Sequence, residues 1–237
     1  MKNMLIPLYR NLCGTFGLQH WWPVTFSKEK GPEYNPRKEL TEKQQFEVMV
    51  GAILTQNTSW KNVEKAIMNL IRNDALSVEK IKSIKKEKLA ALIKSSGYFN
   101  QKAVKLKALA DFLSKNPIRS LTKEKDLRLV RNKFLEIKGI GPETADSILL
   151  YALGKPVFVI DAYTKRIMGR IGYKESSYDE WQQLFMKELP SNAALFSEYH
   201  ALLVELAKQN CRKTPICETC PLLDRCHYGK SRQNNNS

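Results

Sequence analysis

The sequence predicts an all-α protein, and three observations carry that prediction. Apolar residues recur at helical spacing along most of the chain, capping residues precede several of these runs, and a single four-residue stretch, 157–160, looks extended and is too short to build a sheet. In chain order, Thr41 and Gln44 have capping-box spacing, and Phe46, Val50, Ile53 and Leu54 then fall on one helical face. Val63, Ile67, Leu70 and Ile71 form a second stripe, residues 88–93 a third, and Val104, Ala108, Leu109 and Phe112 a fourth. Asn116-Pro117 ends the fourth, because the residue before a proline is pushed out of the α region. Further helices are expected over about 124–136, 142–153, 162–171, 178–188 and 193–209. Residues 22–40, with Pro23, Gly31, Pro32 and Pro36, are expected to be irregular, and the tail from 231 to 237 disordered.

Composition narrows the function. Hydrophobic residues make up 43% of the 237 and charged residues 27%, too apolar for a disordered chain. No apolar run approaches the roughly 20 residues that span a bilayer. The start, Met-Lys-Asn-Met-Leu-Ile-Pro-Leu-Tyr-Arg, lacks the apolar core and cleavage site of a secretory signal. A cytoplasmic protein with no membrane partner is expected. Lys and Arg number 39 against 24 Asp and Glu, a net charge of +15. That excess favours a polyanion, since each neutralised phosphate releases condensed counterions. Between residues 61 and 107 twelve basic side chains face only Glu64, Asp74, Glu79 and Glu87, a bias spread over several helices as a face would be.

Three constellations carry chemistry. In Leu135-Glu136-Ile137-Lys138-Gly139-Ile140-Gly141-Pro142-Glu143-Thr144-Ala145 one helix ends, Gly-Ile-Gly turns, and Pro142 sits where a first helical turn tolerates it. Such a helix-hairpin-helix brings backbone amides close to phosphate oxygens; an ordinary glycine-rich corner would look the same. Next, the run 157–160 delivers Asp161 to the head of a helix carrying Lys165, Arg166 and Arg170, as an N-cap or as an acid placed near a sugar. Last, Cys211, Cys217, Cys220 and Cys226 lie within sixteen residues, spaced Cys-x5-Cys-x2-Cys-x5-Cys. A cytosolic chain disfavours disulfides there and leaves a metal or cluster site, with Arg212, Lys213 and Arg225 making the loop basic. Cys13 reads as a buried structural thiol.

With these motifs the chain, from about Phe46 to Tyr228, resembles the helix-hairpin-helix DNA glycosylases of the endonuclease III superfamily. The resemblance implies two helical lobes with a cleft between them. Residues 1–38 would pack with the C-terminal lobe, 39–153 would form a six-helix barrel-type domain ending in the hairpin, and 154–230 the lobe with the cysteine loop. It makes Asp161, twenty residues beyond Gly141, the catalytic aspartate. It implies a [4Fe-4S] cluster on the four cysteines, one residue shorter than the family's first interval, with zinc as the alternative. Gly51-Ala52-Ile53-Leu54-Thr55-Gln56-Asn57-Thr58 looks like the family's helix-to-loop segment, so Gln56 or Asn57 would fill the gap left by a flipped nucleotide. Lys138, Gly139, Gly141, Glu143 and Thr144 would meet DNA. Residues 96–103 look like a structural turn of the family.

The family's bifunctional members carry a lysine nucleophile two residues after the second hairpin glycine; this chain has Glu143 there. A carboxylate forms no imine with a sugar, so hydrolysis without strand cleavage is expected. His20-Trp21-Trp22-Pro23, with Phe46-Glu47-Val48, looks like the 3-methyladenine glycosylases of the endonuclease III type. That implies Trp21, Trp22, Pro23 and Phe46 as a pocket for a flipped alkylated base. Methylated purines are cationic and electron-rich rings attract them. Phe46 also belongs to an apolar stripe and reads equally as core. The implied partner is double-stranded DNA with damaged bases, bound by a monomer. A glycosylase/lyase acting on oxidised pyrimidines and a non-catalytic DNA-structure binder are the alternatives.

Overall fold

The computed structural model describes residues 4–27, 29–34 and 39–234. From the N-terminus come α1 (Leu5–Phe16), two short strands β1 (Val24–Thr25) and β2 (Pro32–Glu33), α2 (Glu42–Leu54), α3 (Trp60–Arg72), α4 (Val78–Ser83) and α5 (Lys86–Leu92). Then follow α6 (Phe99–Lys115), α7 (Ile118–Lys123), α8 (Leu127–Leu135) and α9 (Pro142–Ser147). Last are α10 (Ala162–Ile171), α11 (Tyr178–Glu188), α12 (Ala193–Gln209) and α13 (His227–Asn234). The fold is all-α, as the periodicity predicts.

The chain divides into two compact units, Met1–Trp21 with Pro156–Ser237, and Trp22–Lys155. The division falls between the adjacent tryptophans, where the sequence led us to expect a boundary after residue 38. Residues beyond Trp21 are fastened to the middle unit instead. β1 and β2 pair antiparallel, Val24 opposite Glu33 and Thr25 opposite Pro32, so the segment expected to be irregular contains a small hairpin. Val24 is fully buried, and the Glu47 carboxylate of α2 accepts the Thr25 N–H at 3.0 Å and its hydroxyl at 2.8 Å. Pro36 and residues 235–237 lie outside the described residues. The tail expected to be disordered from 231 is helical through Asn234, because the N–H of Lys230 closes the first turn of α13 on the Cys226 carbonyl.

In the middle unit α2 is buried on every side from Gln45 to Leu54, as expected of a helix at the centre of a core. Thr41 and Gln44 form the reciprocal capping box read from the sequence. The C-terminal end of α2 is held by Lys102, 2% exposed, whose Nζ donates to the carbonyls of Leu54 (2.8 Å) and Ser96 (2.6 Å). Burial lowers that amine to about 8, with Lys105 nearby adding to the effect. After α9 the helix widens into a π turn over Ile148–Ala152, which ends the regular helix short of residue 153.

In the other unit α1 packs on α12 through Leu5, Leu8 and Leu12, and the Tyr199 hydroxyl donates to the Leu5 carbonyl at 2.9 Å. The run 157–160 is buried and forms neither a helix nor a paired strand. Phe158 stacks on Phe185 at 3.9 Å and meets Phe196 and Tyr199 edge-on. Fully burying a ring of this size is worth about 1.5–3 kcal/mol, so this cluster anchors the run that ends at Asp161.

Candidate active site

Asp161 caps α10: its Oδ1 accepts the Thr164 N–H at 2.7 Å. The structural role read from the sequence is therefore real, and it leaves the second oxygen available. Oδ2 lies 3.7 Å from Nε2 of His200, a side chain of α12 that is almost wholly buried, while that of Asp161 is 14% exposed. Burial alone would raise this carboxyl. His200, by hydrogen bonding and charge, and the Thr164 amide outweigh burial and hold it below its usual value. The result is an ionised carboxylate at the positive end of a helix.

Trp21 belongs to the same unit. Its ring meets His200 edge-on at 6.0 Å, and Lys208 Nζ sits 5.6 Å over it. Trp22, its chain neighbour, lies in the middle unit, against Trp60 at 5.6 Å and Tyr151 of the π turn at 5.1 Å. Gly51 supports this ring: a Cβ there would stand 3.1 Å from the indole Nε1. Pro23 is buried. Phe46 is 3% exposed on the apolar side of α2, so core packing, the alternative left open for it, is the role its burial gives. Sequence reasoning missed His200, Trp60 and Tyr151. His200 carried a faint signal, a histidine four residues after Phe196 on an otherwise apolar helical face.

The hairpin is formed by α8 and α9 with the turn between them. Asp146, fully buried, takes Arg131 bidentately, Nε at 2.7 Å and the terminal nitrogen at 3.1 Å, so the two helices are stapled together. Gly139 is left-handed at φ +91°, a conformation that favours glycine, whereas Gly141 is extended and caps α9. Lys138, Gly139, Gly141 and Glu143 are exposed, and Thr144 is buried. Gln56 is engaged here: its Nε2 donates to the Thr144 hydroxyl at 2.9 Å and its Oε1 accepts from Lys105 at 2.5 Å. Asn57 is exposed and left-handed at φ +54°. Of the two residues expected to fill a gap in the duplex, Gln56 is tied to the hairpin and Asn57 faces outward.

The cysteine loop follows α12. Burial pushes the Cys220 thiol up to about 11, with smaller contributions from Cys211, Cys226 and Cys217. Arg170 donates to Cys211 Sγ at 3.2 Å, and the Gly229 N–H to Cys226 Sγ at 3.4 Å. These are donors that suit thiolates. Among the described residues, no three His, Cys, Asp or Glu side chains converge as a metal-binding group. Arg212, Lys213 and Arg225 are exposed. Among the same residues no helix is long and apolar enough to cross a membrane.

Breaking a glycosidic bond in DNA asks for a fixed anion to oppose a sugar cation and a backbone grip on the duplex. An ionised acid at a helix head and a glycine-turned helical hairpin are the equipment of the helix-hairpin-helix DNA glycosylases. Residues 50–191 match the family described as HhH-GPD superfamily base excision DNA repair protein, and the chain belongs to that family of DNA N-glycosylases. It is 42% identical over 229 residues to a protein of Methanocaldococcus jannaschii provisionally named a DNA repair glycosylase, covering 94% of this chain and 96% of that one. Among solved structures it is similar to the H. pylori 3-methyladenine DNA glycosylase bound to 1,N6-ethenoadenine, with 31% identity, a TM-score of 0.63, and 72% and 90% of the two chains covered. A non-covalent endonuclease III–DNA complex shares the fold over 99% of both chains at 21% identity and a TM-score of 0.75.

Proposed function

We propose that this glycosylase is monofunctional and releases alkylated purines of the 3-methyladenine type from double-stranded DNA by hydrolysis. The observation that carries the reading is the Asp161 carboxylate, held ionised in a unit that also contains the half-buried Trp21 ring, with His200 touching both. Trp21 already has a cation, Lys208, over it, the kind of contact a methylated purine would make. The 3-methyladenine glycosylase among its relatives supports the same substrate class.

The chemistry follows from these residues. A methylated purine leaves with the electron pair of the glycosidic bond and needs little help from an acid. Asp161 opposes the positive charge that grows on the sugar and orients water, whose oxygen bonds to C1′ while its proton passes to the carboxylate. The free base and an abasic site result. Glu143 occupies the position of the family's imine-forming lysine, and the two amines that burial acidifies, Lys102 and Lys155, are spent on backbone carbonyls. On this reading Trp21 and Trp22 are base-contacting candidates, and Asn57 with the hairpin amides around Gly139 and Gly141 meets the duplex.

Cys211, Cys217, Cys220 and Cys226 would hold a [4Fe-4S] cluster, with zinc as the alternative. The bound group supplies a cross-link for the loop, and the hydrolysis calls for no electron transfer. Cys217→Ser is expected to lose the brown absorbance of an iron–sulfur protein; a colourless wild type with stoichiometric zinc overturns the cluster. For the reaction, bases released from dimethyl-sulfate-treated DNA are separated and quantified. Release of methylated purines with no borohydride-trapped adduct supports the proposal. Trapping on a duplex with an oxidised pyrimidine favours the glycosylase/lyase alternative, and binding of abasic DNA without any release favours the non-catalytic one.

A further inference from the structure

The N-terminal arm that ends in Trp21 is fastened to α12 by one carboxylate. Glu198 Oε2 accepts the Gln19 N–H at 2.7 Å, and Oε1 accepts the His20 N–H at 2.8 Å. Between them the two oxygens fix two successive amides, and His20 is left-handed at φ +54°, a conformation that costs a non-glycine residue free energy unless its surroundings impose it. One residue on, the Ser197 hydroxyl donates to the Trp21 carbonyl at 3.3 Å. On the same helix, His200 meets both the Trp21 ring and the Asp161 carboxylate. Ser197, Glu198 and His200 thus bring a segment far away in sequence to the catalytic candidate. A carboxylate binding two main-chain amides needs no particular side chains in the arm, so its effect falls on where the following residue points.

We infer that Glu198 is a positioning residue for Trp21: by gripping the amides of Gln19 and His20 it sets the indole against His200, the side chain that also meets Asp161, where a flipped base would stack. The inference rests on the proposed role of Trp21 and adds the residue that determines its geometry. The ionisable groups around this latch include His20, whose Nδ1 is 3.9 Å from Oε1 of Glu198, Tyr9, and Lys208 above the ring. Replacing Glu198 by Gln keeps one accepting oxygen and removes the charge and the second acceptor. The fold core of α12, built on Phe196, Tyr199 and Leu203, is not touched.

The test has two arms. The first needs no substrate: acrylamide quenching is measured on Glu198→Gln and wild type, each with its Trp21→Phe counterpart, so that the difference isolates Trp21 among the four tryptophans. The inference expects Trp21 to become more accessible while the thermal melt stays within a few degrees; unchanged quenching overturns it. The second arm measures release of methylated purines against a neutral lesion. Glu198→Gln should reduce that discrimination by about tenfold, the order of one well-placed aromatic contact. In a Trp21→Ala background the same change should add nothing, since the residue it acts through is gone. Multiplying losses in the double variant overturn the inference. A wild type that releases no alkylated base refutes the substrate class alone, because the quenching arm still decides the role of Glu198.

Discussion

Glu47 and Asp161 are both carboxylates with little exposure, and each accepts a backbone N–H, from Thr25 at 3.0 Å and from Thr164 at 2.7 Å. Their acidities nevertheless separate. Glu47 is 4% exposed and accepts from the amide and hydroxyl of Thr25, neither of them charged, so burial dominates and pushes it up to about 7. For Asp161 burial acts in the same direction, yet His200 and Thr164 together overcome it and the carboxyl titrates below its usual value. Burial alone does not make a useful anion; a basic ring at one oxygen and a helix head at the other do. Glu47 serves the fold by clasping β1 to α2, and Asp161 keeps the charge that the proposed hydrolysis calls on.

The comparison breaks most sharply at Asp161. Asp161→Asn should lower base release about 10³-fold or more while leaving the melting temperature nearly unchanged, because asparagine caps a helix as well as aspartate. Full activity in a release assay would remove Asp161 from the chemistry. Glu47 comes next. Its folded value lies above its ordinary 4.5, so the native state binds the extra proton between the two values. The stability it contributes is complete below about pH 4.5 and is lost as the pH rises through about 7, a change of roughly 3 kcal/mol. Urea unfolding at pH 5 and pH 8 measures this slope, and Glu47→Gln should flatten it. The smallest effect sharpens the contrast: His200→Ala should cut base release about tenfold and move the acid limb of the pH–rate profile upward, as Asp161 loses the group that keeps it ionised. An unmoved acid limb would detach His200 from Asp161.

Where function depends on local pattern, the sequence was readable. The helical stripes, the Thr41 capping box, the hairpin turn at Gly139 and the N-cap at Asp161 all follow from spacings within a few residues. Glu198 and the arm it holds are 178 and 179 residues apart, and nothing local marks either partner. Two-residue strands have no period to detect, which is why β1 and β2 looked irregular. In α1 the signal is local as well, since Leu5, Leu8 and Leu12 repeat at helical spacing. Adjacent tryptophans read as one motif, yet Trp21 and Trp22 join different units, a division set by tertiary partners.

Two arginines of α10, one midway along it and one in its last turn, grip the start of the cysteine loop: Arg166 on the Cys211 carbonyl at 2.9 Å, and Arg170 on those of Arg212 at 2.7 Å and Lys213 at 3.0 Å. Asp161 is at the other end of this ten-residue rod, about 15 Å away at 1.5 Å per residue. A genetic screen for repair-deficient alleles should therefore recover changes at Arg166 and Arg170 alongside those at Asp161, with lesions that look remote on a map acting through a shared axle.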